Sequence, residues 1–246
     1  MNKYRADLHI HTVLSPCGNL EMSPANIIKK ACEKGLDIIG ITDHNSTRHC
    51  KLVSKLSELA GIFVLMGAEV TTREEVHCLT FFENDSKLDE FQRYLEKHLP
   101  SIPNNTEKFG YQVVVDENED IIEQIDFLLL SALDQSIEQI EKKVHSLGGI
   151  FIPAHIDRPS YSIISQLGFI PDDLLIDGIE ISANCKTRSI MPSIGNQLGK
   201  SLIRSSDAHY IQDIGKVFTT FDMESRTFSE IKKALHNSME RNVSIA

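Results

Sequence analysis

The stretch DLHIHTVLSPCG, residues 7–18, carries two histidines one residue apart and a cysteine six positions further on. Extended chain alternates its side chains with period two, so Asp7, His9 and His11 are expected on one face, with Leu8 and Ile10 on the other. Burying Leu8 and Ile10 would then offer both imidazoles to one divalent ion. Taken alone, the pair fits a plain polar strand face equally well. The reading turns on whether further donors fall at equivalent places, and they do. ITDH ends in Asp43 and His44, VLMGAE in Glu69, GGIFIPAH in His155, and SLIRSS runs into Asp207 and His209, while His77 opens HCLTFF. Six of the ten histidines thus sit at expected strand ends, each beside or opposite a carboxylate. The other four, His49, His98, His145 and His236, lie in helix patterns and receive no role. Imidazole mixed with carboxylate suits zinc, manganese or iron, whereas a magnesium site would be dominated by oxygen.

The elements that must position these donors alternate. ADLHIH is followed by a helix in SPANIIKKACEKG, with Ser23 as N-cap, Pro24 at its first position and Gly35 at its stop. LDIIGIT reads as a second strand, Thr47 to Ala60 as a second helix ended by Gly61, and IFVLMGAEV and HCLTFF as strands three and four. GGIFIPAH, DGIEIS, SLIRSS and KVFTTF supply the later strands. A closing helix opens at Thr227, with Glu230 placed to complete a capping box. Repeated strand–helix units with apolar strands imply a largely parallel sheet with helices outside, open or closed, and seven or eight strands in 246 residues favour a barrel. Strand ends in such a barrel meet at one rim. Too few residues separate Glu69 from His77 for a crossover helix, so a tight turn is expected to return HCLTFF to that rim. About Asn84 to Ser136 breaks the rhythm, with a polar helix from Lys87 to Leu99, a Pro- and Asn-rich turn, a hairpin around YQVVVDENED and the apolar run FLLL. It reads as an insertion into a single 1–246 domain, a lid rather than a second domain.

Composition narrows the function classes. A hydrophobic share of 41% and a charged share of 24% describe an ordinary globular chain able to bury a core. A formal charge of −10 argues against tracking long nucleic acid, though not against a short nucleotide held beside cations. MNKYRADLHIHT lacks a signal-peptide apolar region, and no apolar run approaches the roughly 18 residues of a membrane span. Five cysteines (Cys17, Cys32, Cys50, Cys78, Cys185) without CxxC spacing fit reduced thiols. The expectation is a cytoplasmic protein with no membrane partner; nothing in the sequence specifies an oligomeric state.

The motifs DLHIHT, ITDHNS, GAEVTTREEVH, PAHIDRP and SDAH, in that order from Asp7 to His209, resemble the signatures of the PHP (polymerase and histidinol phosphatase) family. The resemblance implies an α/β fold, a distorted seven-stranded β/α (TIM-like) barrel holding two to three divalent metals, and hydrolysis of phosphate esters. It assigns one ion to His9, His11, Glu69 and Asp207, and a second to Glu69, His77 and His155. A third falls to His44 and His209 with a residue of the following loop. Many relatives carry an aspartate in an SDG triplet there or a histidine one place later; this chain has Ser15-Pro16-Cys17-Gly18, with Cys17 at the later place. A thiolate at Cys17 would favour zinc or iron; the alternative is a small packed thiol.

Two ions roughly 3.5–4 Å apart lower the pKa of a bridging water, so a metal-bound hydroxide would serve as nucleophile without a separate base. Asp7 and Asp43 adjoin ligand histidines and are candidates to orient an imidazole through its other nitrogen, or else are solvent-facing carboxylates. Arg158 in HIDRP, and Lys186 and Arg188 in ANCKTR, are candidates to meet substrate phosphate, or else solvated loop cations. The resulting reading is a phosphoesterase acting on a small phosphorylated substrate, a nucleotide or short 5′-phosphorylated oligonucleotide. A histidinol-phosphatase-type phosphomonoesterase, a 5′→3′ exonuclease and a non-catalytic metal-binding module are the alternatives.

Overall fold

The computed structural model describes residues 1–185 and 199–245. Their strands are β1 (Asn2–Ile10), β2 (Ile38–Ile41), β3 (Phe63–Thr71), β4 (His77–Phe82), β5 (Val113–Val115), β6 (Ile121–Gln124), β7 (Ile150–Pro153), β8 (Ile179–Ile181), β9 (Leu202–Arg204), β10 (Thr219–Met223) and β11 (Asn242–Ile245). The helices are α1 (Pro24–Lys34), α2 (Cys50–Ser57), α3 (Asp85–His98), α4 (Thr106–Phe109), α5 (Ile137–Ser146), α6 (Ile163–Leu167) and α7 (Phe228–Leu235). Seven strands form one curled sheet in the order β11-β10-β1-β2-β3-β4-β7, and β8 pairs with β9 separately. The expected α/β sheet of seven strands is present, open as a half-barrel rather than closed.

The sheet is also less parallel than the strand–helix alternation implies. Pairs β1–β2 and β2–β3 are parallel, as is β8–β9, but β3–β4, β4–β7, β1–β10 and β10–β11 are antiparallel. The β3–β4 pair is the tight return expected from the Glu69–His77 spacing, and it sets Thr71 opposite His77. β11, in RNVSIA, is an edge strand with exposed alternate residues that gave no sequence signal. Helix α1 begins and ends as expected, with Ser23 accepting from the Asn26 N–H and Gly35 closing it in a left-handed conformation. The Thr227 hydroxyl caps α7, but Glu230 does not reach back to it; its carboxylate takes the Glu224 N–H at 3.0 Å and meets Lys233 and Arg241.

Two apolar clusters flank the sheet. The inner one joins Leu8, Ile38, Leu65, Leu79, Phe81 and Ile152 with Ile231 and Leu235 of α7; the outer one joins Ile10, Ile39, Val70 and Phe151 with Ile27, Val53, Phe91 and Val144 of the covering helices. Leu8 and Ile10 therefore do not share a face. The β1–β2 register shifts between Asp7 and Ile10, and such an irregularity re-aims side chains. The insertion packs onto the body through Val113 and Val115 against Val13, and through Val114 and Leu129 against Leu14. No helix among the described residues is long and apolar enough to cross a membrane.

Close approach of β3 and β4 requires a glycine at position 67, where a Cβ would lie 1.8 Å from the Thr80 carbonyl oxygen. Gly67→Ala is expected to destabilise the fold by at least about 2–3 kcal/mol; thermal unfolding within a degree of wild type would contradict this packing.

Candidate metal centre

Glu69 ends the apolar run of β3 with a carboxylate that is 1% exposed. Five imidazoles surround it. Oε1 lies 3.4 Å from His9 Nε2, 2.9 Å from His77 Nδ1 and 3.1 Å from His155 Nε2, and Oε2 lies 3.3 Å from His11 Nε2 and 3.2 Å from His44 Nδ1. These rings come from β1, the turn after β2, the start of β4 and the turn after β7, so four separate chain segments converge on one charge. Asp207 adds a second carboxylate, its Oδ1 3.3 Å from His9 Nε2 and 3.2 Å from His11 Nε2. His209 stacks on His11 with ring centroids 4.2 Å apart.

Among the described residues three donor groups result, each with its ligand atoms within 4.8 Å of one another: His9, His11, Glu69 and Asp207; His44, Glu69 and His77; and His11, His44 and His209. The expected ligand residues other than Cys17 are thus gathered, with His155 joined through Glu69 rather than in a group of its own. The donors fit metal ions. His9 Nε2 and His11 Nε2 face each other at 3.1 Å, and Asp207 Oδ1, His44 Nδ1 and His155 Nδ1 are buried without a hydrogen-bond partner. Buried polar atoms aimed together and left unpaired are costly unless a cation joins them.

The electrostatics of the metal-free cluster divide the histidines. Burial pushes the Glu69 carboxyl up, but the His77, His9 and His44 imidazoles overcome it and hold the group well below the usual carboxylate range. Burial lowers His9 and His11, yet the Glu180, Asp207 and Glu69 carboxylates carry His9 well above its ordinary value, and the adjacent Asp207 and Glu69 carboxylates lift His11 to about 9. Burial and neighbouring imidazoles keep His44 well below its ordinary value and bring His209 down to about 4. Neutral imidazole is the form that ligates metal.

Glu180, which the sequence reading passed over, orients the cluster. It is 1% exposed, its Oε2 lies 3.0 Å from His9 Nδ1, and it accepts the His155 N–H at 3.0 Å. A carboxylate on the far nitrogen fixes the tautomer and turns Nε2 toward the metal position. This is the role expected of Asp7 and Asp43, and neither of them touches a ligand imidazole directly. Asp7 instead accepts the Ser206 N–H at 2.9 Å and the Gly215 N–H at 2.8 Å, and burial pushes it up to about 6. Asp43 accepts from Thr12 N–H, Thr12 hydroxyl and Ser15 hydroxyl, each at 2.7 Å, and reaches His11 only through Ser15, 3.0 Å from His11 Nδ1.

Cys17 stands apart. It lines the cleft but belongs to none of the donor groups and is exposed. In the metal-free cluster the protein around it, and then Glu69, Asp207 and Asp43, push the thiol up to about 12. The cleft measures about 240 Å³ and is bordered further by Leu130, Arg158 and Tyr161. Arg158 sets Nη2 2.6 Å from Asp207 Oδ2 with its side chain 43% exposed. Lys186 and Arg188 lie outside the described residues. Several of these positions hold left-handed backbone without being glycine: Asn45 (φ 46°), His155 (φ 29°), Tyr161 (φ 58°) and Asp207 (φ 50°). Such conformations gather at functional sites, where packing over-determines them.

Comparison with known proteins places this arrangement. Endonuclease Q of Pyrococcus furiosus, a lesion-specific endonuclease, superimposes with a TM-score of 0.71 at 22% identity, over 98% of this chain and 58% of that one. An endonuclease Q complex with duplex DNA carrying an abasic lesion gives 0.66 at 20% identity, over 98% and 58%. The uncharacterized protein YqxK of Bacillus subtilis is 26% identical over 99% of this chain and 64% of its own length, so the chain spans less than two thirds of these relatives. The PHP domain family model matches residues 7–156, and that of the PHP-associated segment residues 194–238. The chain belongs to the PHP family.

Glu180→Gln is expected to weaken metal binding by roughly 10–100-fold with circular dichroism unchanged; an unaltered metal titration would show that His9 needs no such partner. Cys17→Ser is expected to retain the wild-type number of bound ions by mass spectrometry, and loss of one ion per chain would return the thiol to the ligand set.

Proposed function

We propose that this chain is a metal-dependent phosphoesterase acting on a small phosphorylated substrate, a nucleotide or the 5′-phosphorylated end of a short oligonucleotide. The observation that carries the reading is Glu69, one buried carboxylate shared by five imidazoles with Asp207 alongside. In this reading His9, His11, Glu69 and Asp207 hold one divalent ion, and Glu69 reaches a second with His77 and His155. His44 and His209, with His11 beside them, hold a third where it is present. The donor chemistry suits zinc, manganese or iron. Such ions, when bound, supply Lewis-acid activation of water and of the phosphate ester.

The chain's own residues do the rest. Glu180 keeps the His9 proton on Nδ1. Arg158, at the cleft edge, binds the phosphate oxygens and helps neutralise charge as it develops. The left-handed turns at His155 and Asp207 hold donors on short, bonded loops, so the site is formed before substrate arrives. A cleft of about 240 Å³ falls below the roughly 300–1,000 Å³ of common ligand pockets, which favours burying one phosphorylated unit. The formal charge of −10 likewise favours a short ligand over a long duplex. Phosphodiester cleavage is the second reading, favoured by the fold shared with a lesion-specific endonuclease.

The test is phosphate release from a panel of phosphomonoesters, including histidinol phosphate, and from short 5′-phosphorylated oligonucleotides, with and without chelator. Metal-dependent release from at least one class is expected; bound metal without release from any would make the chain a metal-binding module. Glu69→Gln is expected to abolish turnover with the fold intact. Arg158→Ala is expected to lower kcat/KM by about 10–100-fold, as for loss of a charged hydrogen bond.

A further inference from the structure

The loop from Arg158 to Ser162 closes on itself, with the Ser162 hydroxyl donating to the Arg158 carbonyl at 2.7 Å and Ser162 capping α6. It presents two side chains to the cleft, the Arg158 guanidinium and the Tyr161 ring. Tyr161 lies against the cluster, its ring centroid 4.8 Å from that of His77 and tilted by 17°. Its carbonyl accepts the His77 N–H at 2.8 Å. The residue is nevertheless 48% exposed, so one ring face is covered by His77 while the ring remains accessible from the solvent side. Its backbone sits at φ 58°, a conformation disfavoured for a bulky residue and maintained here by the bonded loop on either side. An aromatic ring placed at that cost adds nothing to the apolar core clusters.

We propose that Tyr161 is a stacking platform for a planar aromatic ring in the alcohol part of the substrate, while Arg158 on the same loop takes the phosphate. The inference deepens the phosphoesterase reading and rests on it for the phosphate. It sets the substrate class as phosphate esters of aromatic-ring alcohols, as against aliphatic ones. Ring stacking is tolerant of ring identity, so a nucleobase and an imidazole are the two sources to separate.

The experiment is calorimetric binding of phosphonate analogues, whose P–C bond resists hydrolysis, to manganese-loaded protein: an adenosine phosphonate, an imidazole-bearing alkyl phosphonate and propyl phosphonate. Tyr161→Asn removes the ring with a residue that accepts left-handed backbone, and Tyr161→Phe keeps the ring. In Tyr161→Asn, one or both aromatic ligands should weaken by about 5- to 100-fold, the one affected naming the source. Propyl phosphonate should stay within twofold, metal content should stay at the wild-type value, and Tyr161→Phe should match wild type. Equal weakening of all three ligands, no weakening of either aromatic one, or no aromatic binding by the wild type would each overturn the platform. Wild-type binding of the aromatic ligands without phosphate release from any ester would instead remove the enzymatic reading and leave the ring's role in binding intact.

Discussion

A buried, ionised carboxylate is among the least tolerable groups in a protein interior unless opposite or polar partners surround it. Glu69 meets that demand through rings delivered by four chain segments, and much of the architecture follows from the delivery. The antiparallel return of β4 brings His77 beside it, the turn after β2 brings His44, and the turn after β7 bends through a left-handed residue to aim His155. The sheet curls around this point and remains open, with the β8–β9 pair lying between its end strands, β9 beside β11 and β8 beside β7.

Much of the site could be read because metal ligands carry their chemistry in their side-chain type and because strand ends are local features. Seven-residue spacing alone forces the Glu69–His77 turn, and Ser23, Pro24 and Gly35 mark α1 without reference to anything distant. Three features were out of reach for the converse reason. Strand direction otherwise depends on which distant segment pairs, so β7 and β10 could not be oriented from their own patterns. The shift in β1 appears only in its pairing with β2, and Asp7 meets Ser206 and Gly215, 199 and 208 residues away in the chain, instead of a histidine. Glu180 did leave a trace: a carboxylate between Ile179 and Ile181 contradicts a buried strand unless it faces a partner.

The insertion is more closely bound to the site than a lid would be. Its β5 valines pack against the loop that follows His11, and Val115 donates its N–H to His49 Nε2 at 3.0 Å, while His49 Nδ1 contacts the Thr12 hydroxyl that also meets Asp43. His49, unassigned from sequence, is therefore a strut between insertion and metal loop. Glu180, Ser15 and His49 together form an outer layer of polar contacts that fixes ring orientations before any ion binds.

Asn45, the neighbour of His44, has a consequence of a different kind. Its side-chain amide donates to the Leu129 carbonyl at 2.7 Å and to the Ser131 carbonyl at 2.9 Å, and its oxygen accepts the Thr71 N–H at 3.1 Å. Leu130, held between those two carbonyls, forms one wall of the cleft. Cleft width and donor geometry are thus mechanically geared: the wall cannot swing outward as a body without pulling on the residue that follows a metal-binding imidazole. Changes in substrate size across evolution would then proceed by exchanging the wall's side chain, with the hinge itself left locked.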